Sequence, residues 1–446
     1  MYTSTIGRIF LDAYNEKYNT KLTPKEFFLE IYIPLFFGHN KYMMTGGNSP
    51  LENPKISWDK IMNGEEPYED ESKRKERIES LIDKIDNSVP NMGIAIGYGV
   101  ADPTTPSACQ ITGMENIAGA DDTYLSWIGA GLGVTLSGGY TLLFDHKQIL
   151  LDIFDGWKEY RKILNNNDML KGNQVNSWSG RWLIYLYSDD FEEGYGIPQD
   201  YCPLETEKDG IIKMSAANWL EFISIISVEA KSTSLMSYIY KIGQTNSTYG
   251  FIPINTEEIL RPEMFYRRIF GENISQAYKN AMRKIYGDKG GFPIAFNIGS
   301  IGIRSLEPKD LVKYMPQSNG KKPKPVKYKT EEDKININLY IIWILAMLNK
   351  EDFWETTEKF AKSLYDYSES DKKLSTKRKN QVEKLLSSTN AKNFLDNAIE
   401  IINESDTSIL NAIKEMGKAA NDMPWENFPY FCTLIKLHYA IISKNS

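Results

Sequence analysis

Residues 126–140 read SWIGAGLGVTLSGGY, five glycines in fifteen positions, with Gly129, Gly131 and Gly133 forming a GxGxG run. A dinucleotide cradle needs GxGxxG at the end of a strand and the start of a helix, with an acidic residue about 20 positions on. Here the third glycine stands one place early, and Val134 occupies the position the fingerprint requires. The following VTLSGGYTLL is β-branched and broken by Gly138 and Gly139, so the pattern starts no helix and offers no array of N–H groups to a pyrophosphate. No GKS or GKT follows to make a P-loop. The expectation is a glycine-rich β-loop from Gly129 to Gly139. Its glycines permit tight turns or close backbone approach, to a polymer rather than to a bound cofactor.

A second candidate is Glu229-Ala230-Lys231. An ExK tripeptide on a strand, preceded by an aspartate such as Asp189 or Asp190, is the metal-binding core of PD-(D/E)xK nucleases. The flanks WLEFISIISVEAKSTS fit an amphipathic helix better than a strand, which favours a chance match. His39, His146 and His438 are isolated, and Cys109, Cys202 and Cys432 form no CxxC pair. Neither a metal nor a cofactor is implied.

Charge is the stronger signal. The chain carries a net charge of −7, yet residues 261–329 hold fifteen Lys or Arg against five Asp or Glu, leaving −17 for the remainder. An acidic body with one basic segment points to local contact with phosphates. The candidate nucleic-acid-binding residues are Arg267, Arg268, Arg283, Lys284, Lys321, Lys322, Lys324, Lys327 and Lys329, close in sequence to Phe265, Tyr266, Tyr278, Tyr286 and Tyr328. Lysines and arginines release counterions from a nucleic-acid backbone, and neighbouring aromatics stack bases. Lys377-Arg378-Lys379 would continue the track. Two polar loops, NSWSGRW (176–182) and GQTNSTYGF (243–251), combine amides with aromatics, and Asn246 is the candidate reader of a base edge.

Several elements must position these residues. Residues 1–45 are helical, with Thr23 as cap and Pro24 at the first helical position. Residues 89–145 are β and loop. Leu150, Ile153, Phe154 and Trp157 mark a helix over 147–164. NSWSGRWLIYLYSDD reads as a strand, residues 214–242 as one long apolar helix, 261–286 as a basic helix pair, and GGFPIAFNIGSIGIRS as extended. QSNGKKPKPVKYK (317–329) is a mobile linker. Residues 331–444 form a helical bundle whose segments are separated by STKRKN, SSTN, NESDTS and DMPWENFP. The apolar run LYIIWILAML is half the ~20 residues that cross a bilayer, so it is a buried helix. The expected fold class is α+β: a mixed region over 1–320 with glycine-rich β-loops, a basic linker over 321–330, and a helical bundle over 331–446.

In this layout the chain resembles the large subunit of type I CRISPR surveillance (Cascade) complexes. That family has a mixed N-terminal domain whose glycine- and asparagine-bearing loops inspect a short motif beside the target, and a C-terminal helical bundle along the displaced strand. The resemblance implies a non-catalytic subunit that contacts DNA and guide RNA and assembles with other subunits; the few, scattered cysteines and the short apolar run separately lead to the expectation of a cytoplasmic protein that needs no membrane. A Mg²⁺-dependent nuclease using Glu229 and Lys231, and a scaffold or small-ligand protein, remain alternatives.

Overall fold

The computed structural model describes residues 2–45, 51, 57–88, 119–207, 210–230, 235–241, 247–286, 291–308, 310–317, 322–405 and 407–445. The expected loops within 89–118, and nearly all of the turn at 45–54, lie outside them. The chain is α+β and falls into two compact units, Met1–Thr256 and Glu257–Ser446. Residues 321–330, expected to separate two regions, belong to the second.

The first unit opens with α1 (Tyr2–Tyr18) and α2 (Pro24–Phe27). Thr23 Oγ1 accepts from the Glu26 N–H, and the Glu26 carboxylate accepts from the Thr23 N–H at 2.8 Å. This reciprocal cap is the one the Thr-Pro-Lys-Glu spacing implies. A π-helical turn, Phe28–Tyr32, leads into α3 (Ile33–Phe37), which begins around Pro34. Then come α4 (Trp58–Met62), α5 (Glu71–Asn87) and α6 (Ala120–Gly131).

Helix α6 corrects the expected glycine loop. Residues 126–131 are its buried last turns, and only residues beyond it form β structure. A Cβ on Gly129 would overlap the Thr3 carbonyl of α1, and one on Gly7 would overlap the Leu125 carbonyl of α6. The two helix backbones cross in contact, which only glycine permits. The exposed carbonyls at the end of α6 are satisfied from elsewhere. Trp157 Nε1 donates to Gly131 O at 3.1 Å and Asn176 Nδ2 to Ala130 O at 3.0 Å. The close approach is real, but its partner is the protein's own backbone.

Strands β1 (Val134–Leu136) and β2 (Tyr140–Phe144) follow as a hairpin, with Gly138 and Gly139 at φ 95° and 79°. Helices α7 (Lys147–Asn165) and α8 (Val175–Leu186) then pair. NSWSGRW is therefore helix, not strand. Val175, Trp178, Ser179, Trp182 and Leu183 repeat at helical spacing and are all buried. Both indoles bond to α7: Trp178 Nε1 to Gly156 O at 2.7 Å, Trp182 Nε1 to Asp152 O at 2.8 Å. Strands β3 (Leu204–Thr206) and β4 (Ile212–Met214) form a small antiparallel ribbon. The expected long helix over 214–242 is instead α9 (Trp219–Ala230) followed by β5 (Leu235–Lys241). With β6 (Ser247–Ile254), the main antiparallel sheet runs β1-β2-β5-β6. The alternation of Leu235, Ser237 and Ile239 as buried residues in β5 is a strand period.

The second unit is helical: α10 (Thr256–Phe270), α11 (Gln276–Tyr286), α12 (Gly291–Ile298), α13 (Glu331–Leu348), α14 (Phe353–Glu369), α15 (Ser375–Leu386), α16 (Ala391–Ile402), α17 (Thr407–Asn421) and α18 (Phe428–Asn445). GGFPIAFNIGSIGIRS, expected extended, is α12 followed by a 3₁₀ turn, Ile303–Leu306. STKRKN, expected as a turn, is the first half of α15. Helix α13 is buried all round from Leu339 to Met347, as its uniformly apolar run requires. It is capped by Thr330 and Asp333 at one end and by left-handed Asn349 (φ 52°) at the other. Among the described residues no helix is long and apolar enough to cross a membrane.

Candidate nucleic-acid interface

The basic segment divides by what neutralises it. On α10, Arg267 Nη2 pairs with Glu263 at 2.7 Å and its Nη1 reaches Glu272 at 3.5 Å. Arg268 pairs with Glu351 at 2.7 Å, and Lys284 of α11 with Glu332 at 3.0 Å. Arg283 lies on α11. The helix-borne cations described are thus matched by acids of the same unit, and their field at a distance is correspondingly weaker. The aromatics beside them are structural: Phe265 and Tyr266 are buried, and Tyr266 packs on Tyr278 with ring centroids 4.9 Å apart. For Phe265 and Tyr266 the expectation of stacking faces is corrected by that burial; Tyr278 and Tyr328 are half-buried.

Residues 322–329 differ. Lys322, Lys324, Lys327 and Lys329 are exposed on an extended strap that leads into α13. Pro323 and Pro325 restrict its φ angles and those of their predecessors to extended values. The strap is fastened at its centre, contrary to the expected free linker. The Lys324 N–H donates to Lys313 O at 2.8 Å, and Lys436 Nζ of α18 donates to Lys324 O at 3.4 Å and to Tyr314 O at 3.3 Å. Burial pulls the Lys436 ammonium down to about 8, partly opposed by the charge of Glu383. At the far end, the Lys329 N–H donates to Asp333 at 3.1 Å, and Lys327 lies close enough to that carboxylate to lower its pKa. Among the described residues, Lys322 and Lys324 have no carboxylate within ion-pairing distance.

Beside the strap is an open groove of ≈ 630 Å³. Gln317 and Lys322 line one side; Asn380, Ser387, Thr389 and Asn393, from α15 to the start of α16, line the other. Lys384 also faces it but is paired with Glu400. The Glu383 carboxylate lines the groove as well, so its wall of amides and hydroxyls carries one unpaired ammonium, Lys322, and one acid. The individual amides were not identifiable from sequence because the two sides of the groove come from segments distant in the chain, 317–323 and 380–393. The lone Lys436 inside CTLIKLHYAII is the one signal that a buried cation would need carbonyls.

The remaining candidates are dispersed. Lys321 and Asn246 lie outside the described residues. Lys377 and Lys379 pair with Glu404 and Glu369, each at 2.7 Å, so the three-residue basic spot is largely neutralised, and it lies on α15 rather than between helices. NSWSGRW is committed to the core of the first unit through Asn176 and its two indoles. Glu229 lies in the last turn of α9, in the helical setting its flanks imply, and Lys231 is outside the described residues. Asp190 accepts from the Tyr201 hydroxyl at 2.7 Å. His146 caps α7, and His438 is buried against Trp354. Among the described residues, no three His, Cys, Asp or Glu side chains gather as a metal-binding group.

No protein-family model, curated protein or solved structure matches this chain.

Proposed function

We propose that the protein is a non-catalytic, cytoplasmic nucleic-acid-binding subunit, the large subunit of a CRISPR-type defence complex, that contacts target DNA. The observation that supports the nucleic-acid part is the fastened strap of exposed lysines, which lies beside a groove lined by amides, hydroxyls and the Glu383 carboxylate. Lys322 and Lys324, which have no carboxylate partner among the described residues, would supply phosphate contacts and counterion release. Gln317, Asn380 and Asn393 would bond sugar or base edges. The assignment to a defence complex rests on the layout resemblance: a mixed α+β unit followed by a helical one. In such a complex sequence is read by a guide RNA, and the protein contacts the backbone and a short motif.

The test is DNA affinity measured across a salt series. Replacing Lys322, Lys324 and Lys327 by Ala is expected to weaken binding and reduce the slope of log K against log salt by about 2–3, close to one for each phosphate no longer neutralised. Replacing Arg267 and Arg268 is expected to change the slope by less, because both already have acidic partners. An unchanged affinity and slope for the strap variant would overturn the reading. Co-purification with guide RNA and further subunits, or its absence, separately tests the defence-complex assignment.

A further inference from the structure

The carboxylate is the odd member of the groove beside the strap. Asn380, Glu383, Lys384 and Ser387 line that groove from α15. Their i, i+3, i+4, i+7 spacing is one helix face, and Val382, Leu385 and Leu386 are buried on the other. The face that α15 turns to the groove is therefore wholly polar. Lys384 is paired with Glu400, whereas Glu383 is exposed and has no ion-pair partner among the described residues. Lys436 lies in the field of Glu383 but spends its ammonium on the Tyr314 and Lys324 carbonyls. Across the groove, Lys322 is the open cation. Gln317, Asn380 and Asn393 are amides whose side chains make no hydrogen bond among the described residues. All of these groups are within reach of a molecule entering from solvent.

An ionised carboxylate only accepts hydrogen bonds, and it repels phosphates. In a groove that takes a polyanion, Glu383 must therefore meet donors, and on a nucleic acid the bases carry them. Guanine alone places two adjacent donors, N1–H and the N2 amino group, on its Watson–Crick edge. Adenine and cytosine offer one amino group beside an acceptor, and thymine one N–H between two carbonyls. The two oxygens of Glu383 match the guanine pair as a bidentate contact, and the –NH₂ of a neighbouring amide matches guanine O6. In a duplex that edge is taken up by cytosine, so guanine is read this way only when unpaired. The groove, at ≈ 630 Å³, falls within the roughly 300–1,000 Å³ of small-ligand sites. Pro316 and Pro323 give the base apolar walls.

We propose that this groove selects an unpaired guanine, with the base edge on Glu383 and the adjoining phosphate on Lys322. The proposal rests on the nucleic-acid reading above and adds which base is read. Fluorescence anisotropy of the full chain with labelled single-stranded dT oligonucleotides tests it, each carrying one central dG, deoxyinosine, dA or dC. The dG oligonucleotide is expected to bind more tightly than dA or dC by about fivefold to a hundredfold, the discrimination of one bidentate base contact. Deoxyinosine keeps N1–H but lacks the N2 amino group, so it should fall between dG and dA. Glu383→Gln alters an exposed side chain and should remove the preference for dG without weakening the all-dT oligonucleotide. Lys322→Ala should instead weaken every oligonucleotide alike. Equal binding of dG and dA, deoxyinosine as tight as dG, or a dG preference that survives Glu383→Gln would each sink the base assignment and leave the nucleic-acid reading standing. Binding of none of the oligonucleotides at low salt would defeat both.

Discussion

At the scale of single residues, His438 couples the protein to pH without touching any candidate site. Its ring lies edge-on to Trp354 with centroids 5.0 Å apart, its Nε2 has no hydrogen-bond partner among the described residues, and burial pushes its pKa down from 6.5 to about 3. The folded chain therefore refuses a proton that the unfolded chain accepts. Between those two values the unfolded state binds more protons, so stability falls as pH drops below 6.5, by up to about 1.4 kcal/mol per pH unit from this group. Urea melts of wild type and His438→Phe over pH 4–7 check this: the variant's stability is expected to decline less steeply, by a margin that widens toward the acid end.

At the scale of elements, two contacts govern the architecture. The crossing of α1 and α6 depends on Gly7 and Gly129, where any side chain would overlap backbone of the facing helix. Gly129→Ala is expected to destabilise the first unit by about 1–3 kcal/mol, the usual cost of forcing volume into a packed contact, read as a lowered melting temperature. Lys436 fastens the strap to α18 through two carbonyls. Lys436→Met keeps most of the side-chain volume and removes the donor. Tryptic cleavage after Lys327 and Lys329 is expected to accelerate in this variant; unchanged cleavage would show that the strap holds without this lysine. Helix α7, whose apolar residues repeat at 3.6 spacing, and α13, marked by its continuous apolar run, were legible in the sequence, as was the Thr23 cap. Helices α6 and α8 were not. In each, small residues interrupt the buried face where another element comes close, as Gly129 against Thr3 and Gly180 against Val134 and Ala217 show. Small residues that signal loops in isolation here signal contact between elements.

At the scale of the whole molecule, net charge proved a poor guide to available charge. The positive excess of residues 261–329 was plain in the sequence, but which cations remain unpaired was not. Arg268 finds Glu351 eighty-three residues on, and Lys284 finds Glu332 forty-eight residues on. The proline-restricted strap instead keeps its lysines outward, so the salt dependence of DNA binding should follow the strap and not the total of 52 Lys and Arg.

The glycine contact between α1 and α6 also fixes an order of events during synthesis. The first helix cannot reach its seat until more than a hundred further residues have emerged, because Thr3 and Gly129 must meet. Until then Ile6, Phe10 and Leu11, all buried in the finished protein, have no α6 to cover them. Closing so long a loop is entropically slow relative to local helix formation. The nascent chain thus carries an exposed apolar helix for a defined interval. A ribosome-bound chain truncated before residue 120 should be captured by a trigger-type chaperone through α1, and one extended past residue 186, with α6 to α8 complete, should release it.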